Sequence, residues 1–283
     1  MDVEQAVSET HPCVNCGNIF TGNFCNNCGQ EYFDHEDKSF IHLLEEVFHF
    51  ITHFEGSFWR TLKTVFVSPG LLSKEYCAGA RKKYFKPISF FLLMVVFYLV
   101  FPVFRGLNMP MKYYPALPVF GNMISEQLSA KEAESHLTGS QFEESFDRIS
   151  EKASKVCLLL LVVFSAPMLS VLFSRKKLPL YDHTILAIEV NAFYLILFSI
   201  LLPVVMTAIR YTVPDYRAIL TEGNMVNLLV VSFVAYAAIT FRRFYGSRWR
   251  YTIVAAAIFA VVHLIFVFYV YKFILFEVAI VFA

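Results

Sequence analysis

Five long apolar runs dominate the chain beyond its first third: residues 87–104 (PISFFLLMVVFYLVFPVF), 156–173, 184–209, 225–241 and 251–271. Each approaches or exceeds the roughly 17 to 25 residues that cross a bilayer as a helix. The pattern predicts an all-α polytopic membrane protein of about five transmembrane helices, a bundle over residues 87–283 with an outer loop at 105–155. Pro102, Pro167 and Pro203 fall within or near these runs, where neighbouring helices re-satisfy the freed backbone groups. The final stretch, FILFEVAIVFA, is too short for a sixth crossing at about 1.5 Å per residue, and Lys272 is expected at the far interface.

Ahead of the runs the period changes. In SFIHLLEEVFHFITHF, at about 100° per residue, His42, Glu45, Glu46, His49 and His53 share one face, while Phe40, Leu43, Leu44, Val47, Phe48, Phe50, Ile51 and Phe54 share the other. Ser39 suits the N-cap of this helix. EGSFWRTLKTVFVSPGLL continues as a second amphipathic piece broken at Ser68, Pro69 and Gly70. Residues 35–86 therefore read as amphipathic interfacial helices. In the outer segment a proline-broken stretch is followed, from about Ser125, by helix, with Phe142, Phe146, Ile149 and Ala153 forming a stripe that runs into the second span.

Residues 1–34 follow neither pattern. CVNCGNIFTGNFCNNCGQ holds two C-x2-C pairs, Cys13/Cys16 and Cys25/Cys28, each followed by a glycine. Two residues between cysteines let both sulfurs meet one ion, and glycine relieves crowding where backbone amides turn toward the thiolates. The pattern predicts a zinc ribbon with one structural zinc on Cys13, Cys16, Cys25 and Cys28, and a tiny hairpin in IFTGNF turning at Thr21, Gly22 and Asn23. The competing reading, two disulfides, requires an oxidising compartment. Four sulfurs close the site, so no catalytic water is expected on the metal. Cys77 and Cys157 read as small buried hydrophobes.

With 283 residues, 57% of them hydrophobic, 31 Phe and only 17% charged, the composition is that of an integral membrane protein. A net charge of +1 gives no support to nucleic-acid binding, and none is expected. The first thirty-odd residues carry Asp2, Glu4 and Glu9 and no apolar core, unlike a secretory leader. Basic clusters set the orientation. Arg81, Lys82, Lys83 and Lys86 precede the first run, Arg175, Lys176 and Lys177 lie between the second and third, and Arg242, Arg243, Arg248 and Arg250 between the fourth and fifth. For five spans all three fall on one side, which places the N-terminus in the cytoplasm and the C-terminus outside. Zinc-bound cysteines suit that reducing side.

The ordered set of a knuckle pair ending CGQ, HFEGSFWRTLKTVFVSPG, EYCAGARKKYFKPISFF and YDHTILAIEVNAFYLILF resembles an uncharacterised family of bacterial multi-span membrane proteins, a domain of unknown function. The resemblance implies a bacterial inner-membrane protein with a cytoplasmic zinc ribbon and implies no reaction. A ribbon followed by about five spans is also similar, by architecture alone, to Yip1-type membrane proteins.

Two further sets of residues carry candidate chemistry. The face formed by His42, Glu45, Glu46, His49 and His53 contains an H-x3-H spacing able to hold a second metal or to sense pH, although a solvated polar face has the same pattern. Within the bundle, Asp182, His183, Glu189 and His263 are ionisable groups in or beside spans, where charge is costly and therefore faces the interior. Glu189 is expected to centre a polar site in the cytoplasmic half, with Asp182 about 10 Å nearer the interface and His263 pairing with Asn227. No nucleophile elbow or phosphate loop is present, and no catalytic residue is assigned. The favoured reading is a non-enzymatic scaffold or assembly factor, in contact with the bilayer and a cytoplasmic protein partner, a homo-oligomer being compatible. The alternatives are a small transporter or channel using Glu189, and a membrane-embedded lipid-modifying enzyme.

Overall fold

The structure is a computed structural model, and it describes residues 10–30, 32, 56–100, 107–135 and 137–283. The His42, Glu45, Glu46, His49 and His53 face lies outside the described residues. Most of the rest is helix. The one sheet among the described residues pairs β1 (Thr10–Pro12) with β2 (Ile19–Thr21) antiparallel, His11 opposite Phe20. The hairpin thus closes over the first knuckle rather than within IFTGNF. Gly22 does adopt the left-handed turn conformation expected of it (φ 85°).

The juxtamembrane pattern folds as α1 (Gly56–Val67) and α2 (Leu71–Cys77). In α1 the buried residues Phe58, Thr61 and Val65 recur at helical spacing, and Trp59 on the opposite face is exposed. Phe58 packs edge-on against Phe85, and the Thr61 hydroxyl accepts the Phe85 N–H (2.8 Å), which ties α1 to the strap that enters α3 (Pro87–Val100).

Among the described residues, four helices are long and apolar enough to cross a membrane: Gly139–Leu172, Leu180–Thr212, Gly223–Tyr245 and Trp249–Phe282. They imply contact with a lipid bilayer and form the architecture of an integral membrane protein. Their outward faces are apolar, with Val163, Val231 and Val254 more than half exposed, as suits lipid rather than water. The fifth apolar run appears as α3, a shorter helix within the described residues. Arg81, just before α3, donates to the Tyr181 hydroxyl at the start of the Leu180 helix, and Tyr98 near its end packs on Phe198. The two helices therefore run in the same direction.

Two of the four helices contain a wide π turn, Leu197–Leu201 and Phe266–Tyr271. In the last helix, buried residues step by four from His263 through Val267, Tyr271 and Leu275 to Ala279. Such steps would drift about 40° each around an ideal α-helix. The wide turn absorbs part of that drift and keeps one face buried along the whole length. FILFEVAIVFA consequently continues the last helix, and Lys272 is buried beside the Phe268 ring (4.8 Å).

The main core is built from α1, α2, α3 and the four long helices. A second apolar cluster lies beyond it, where Phe142 and Phe146 meet Tyr114, Ile124, Leu128, Phe276 and Ile280. The Phe142/Phe146 stripe read from the sequence is its centre. At the other end of the bundle, Arg243 donates to the Pro69 carbonyl (2.6 Å), Arg81 meets Tyr181, and the Tyr251 hydroxyl donates to the Leu172 carbonyl. All three basic clusters sit at this one end.

Candidate metal centre and buried carboxylate

The N-terminal module is built from two copies of one backbone pattern. In the first knuckle the Gly17 N–H donates to the Cys13 carbonyl (2.8 Å) and the Cys13 N–H to the Asn18 carbonyl (2.8 Å). In the second, the Gly29 N–H donates to the Cys25 carbonyl (2.7 Å) and the Cys25 N–H to the Gln30 carbonyl (2.8 Å). Gly17 and Gly29 both sit at positive φ (75° and 66°), which this tight turn requires. The four sulfurs lie within 4.8 Å of one another, with Cys13 and Cys28 at 3.6 Å and Cys16 and Cys25 at 3.7 Å. Tetrahedral ligation at about 2.3 Å per bond separates sulfurs by about 3.8 Å. None of the four is in a disulfide. The cluster can hold one metal ion.

Its surroundings favour thiolate at Cys25 and Cys28 and oppose it at Cys13. Burial works against ionisation of Cys25, but the N–H groups of Cys28 and Asn27 and the neighbouring sulfurs outweigh it and bring this thiol down to about 6. Cys13 is pushed up to about 11, chiefly by burial. Asn27 reaches Cys16 Sγ (3.6 Å) and Asn18 reaches Cys25 Sγ (3.9 Å), an outer layer of amide donors around the sulfurs. The module touches the bundle through Gln30, whose side-chain oxygen accepts the Lys82 N–H (2.8 Å).

Glu189 is fully buried. Its Oε1 accepts the Gly70 N–H (2.7 Å) and lies 3.4 Å from the Tyr236 hydroxyl, while its Oε2 accepts the Ser73 N–H (2.9 Å) and lies 2.5 Å from the Ser73 hydroxyl. The carboxylate thus caps the first turn of α2, whose amides have no partners within their own helix. Gly70 has φ 80°, and a Cβ there would stand 2.6 Å from the Thr240 carbonyl oxygen. The Ser68-Pro69-Gly70 break was legible as an interruption; its role as the receptor for Glu189 was not.

The other ionisable groups separate into two places. His183 Nδ1 is 2.7 Å from the Tyr245 hydroxyl, next to buried Asp182 in the first turn of the Leu180 helix. His263 lies deeper. It meets Ser165 (3.4 Å), which also accepts from Asn191 Nδ2 (3.0 Å), while Asn227 is exposed, so the His263–Asn227 pair does not form. His263 packs on Phe233, six residues or about 9 Å further along the same helix, so counting residues missed Asn227 in depth as well as in azimuth. Tyr194, Phe233 and Phe259 surround His263, and its Nε2, like Asn191 Oδ1, is buried with no hydrogen-bond partner among the described residues.

Residues 55–99 match a family model described as a protein of unknown function, DUF3667. The match spans α1, α2 and most of α3, and so includes Gly70 and Ser73 but neither the cysteines nor Glu189. No curated protein and no solved structure matches the chain.

Proposed function

We propose that the protein is a scaffold or assembly factor of a bacterial inner membrane, with a zinc-bound ribbon on its cytoplasmic face that recruits a protein partner. The observation that carries this reading is the module itself. Four thiols are gathered around one point, and the hydrogen bond from Lys82 to Gln30 holds them at the basic end of the bundle. A closed tetrahedral all-sulfur set suits zinc rather than an oxygen-ligated metal. Val14, Ile19 and Phe24 are each more than half exposed on this small module, which leaves apolar surface for a partner.

In this reading α3, parallel to the Leu180 helix, makes the first of five crossings. The N-terminus lies in the cytoplasm and the C-terminus outside, as the basic clusters at one end support. The transporter reading draws less support, because both Glu189 oxygens already face donors.

The test is isolation of the full chain in mild detergent, with and without Cys16→Ser and Cys25→Ser together. One zinc per chain and a defined set of co-isolating proteins are expected for the natural sequence, and both should be lost in the double variant. A partner set unchanged by the substitutions would defeat the recruitment reading, and freshly isolated protein free of zinc would defeat the ribbon.

A further inference from the structure

At the basic end of the bundle, α2 and the end of the Gly223–Tyr245 helix enclose a cleft of about 430 Å³. Lys74 lines it from one side, and Arg242 and Arg243 line it from the other. No carboxylate is among its lining residues. The nearest acidic groups on these elements are engaged elsewhere, Glu75 with Lys83 and Tyr84, and Glu189 with Gly70, Ser73 and Tyr236. Three positive charges therefore face one space without an internal counter-charge.

Their donors are available. Lys74 Nζ has no hydrogen-bond or ion-pair partner among the described residues. Arg243 uses one N–H on the Pro69 carbonyl, and Arg242 one on the Ser247 carbonyl (3.3 Å), which leaves most of the five donors of each guanidinium. Arg242 is further held over the Trp249 ring at 4.6 Å, so its plane is fixed before a ligand arrives. Trp249 opens the last long helix, whose N-cap Arg248 provides no side-chain cap; its first amides add positive potential to the same rim.

We propose that this cleft binds a phosphate-bearing anion, supplied by the membrane as the headgroup of an anionic phospholipid. Planar guanidinium groups beside an ammonium suit phosphate. The volume exceeds what a bare phosphate fills and lies in the range of small-molecule sites. Ile239, exposed one turn before Arg242 and Arg243 in the helix, forms the apolar wall. Arg242 and Trp249 thus sit side by side at the end of the bundle, and Ile239, one turn nearer its apolar part, follows them, as headgroup and interface precede the acyl chain.

The test uses the purified full chain in detergent at fixed ionic strength, titrated with dioctanoyl phosphatidylglycerol, dioctanoyl phosphatidylcholine or inorganic phosphate. Binding is read from the thermal unfolding midpoint and from native mass spectrometry. Phosphatidylglycerol should bind one per chain and raise the midpoint. Lys74→Ala and Arg242→Ala, both at exposed side chains, should each weaken it by roughly five- to tenfold, while Lys177→Ala, at the same end but outside the cleft, should leave it unchanged. Equal weakening by Lys177→Ala, or equal binding of phosphatidylcholine, would overturn the site. Inorganic phosphate binding as tightly as the lipid, and lost in the same variants, would uphold the phosphate site and overturn its lipid source.

Discussion

Gly70 and Glu189 lie 119 residues apart in the sequence and share a hydrogen bond of 2.7 Å in the buried interior. Glycine supplies the backbone amide and the absence of a side chain; glutamate supplies the acceptor from inside a membrane-spanning helix. Together they fix α2 to the bundle, and with it Lys74 and the strap leading to α3. The same turn is held from outside by Arg243 on the Pro69 carbonyl.

Glu189→Gln replaces one acceptor oxygen by an amide that faces backbone donors. It should cost about 1 to 3 kcal/mol, the scale of leaving a buried donor unpaired. Gly70→Ala should cost about 2 to 4 kcal/mol, because the left-handed conformation and the Thr240 carbonyl both oppose a Cβ. Thermal unfolding in detergent measures both. A Glu189→Gln protein of unchanged stability would show that the carboxylate does not act as the cap of α2.

Chelation of the metal should unfold residues 10–30 selectively. The module has only Phe20 and three of its cysteines as apolar core, and coordination supplies on the order of 10 kcal/mol in comparable peptides. Hydrogen exchange should therefore rise throughout the ribbon while the long helices keep their protection. Exchange that stays slow between Cys13 and Cys28 after complete metal removal would contradict this.

Acid should weaken the strap between α2 and α3 before it touches the bundle. Glu75 is held below the usual carboxylate range: burial opposes ionisation, but hydrogen bonds from Lys83 (2.5 Å) and Tyr84 (2.6 Å) outweigh it. A depressed carboxylate contributes stability that is present above its unfolded value of about 4.3 and lost as pH falls through its folded value. Both side chains are about a third exposed, so the contribution should stay below about 1 kcal/mol. The stability difference between the natural sequence and Glu75→Gln should begin to shrink as pH falls below about 4.3 and vanish only below the depressed folded value, and a difference that stays constant through the whole acid range would exclude the ion pair as its source.

Single cysteines placed at Lys82, Lys176 and Arg243 should label only from the cytoplasmic side, and one at Gln127 only from outside, since the basic clusters resist translocation. Cytoplasmic labelling at Gln127 would reverse the proposed orientation.

Local patterns carried much of this structure. The C-x2-C spacing led to the gathered thiols, the Phe142/Phe146 stripe to the second apolar cluster, and the Ser-Pro-Gly break to the gap between α1 and α2. Helix lengths were less legible. A run of apolar residues marks where lipid is, whereas Gly139–Leu172 continues well past its lipid-like part because an amphipathic stripe keeps packing against the last helix. Partners across the bundle were illegible for a different reason. Ser73 and Glu189, or Ser165 and His263, are joined by tertiary geometry alone, and depth along a helix does not say which way a side chain points.

The two knuckles are so alike that the ribbon has, to a first approximation, no front or back. Asn15 matches Asn27, Cys16 matches Cys28 and Gly17 matches Gly29, but Asn18 stands where the second copy has Gln30. Asn18 turns its amide to Asn26 within the module (2.7 Å), while the side chain one methylene longer reaches out to Lys82. That extra CH₂, together with Asn26 where the first copy has Val14, breaks the degeneracy and selects which of two near-equivalent faces is turned to the bundle and which away from it.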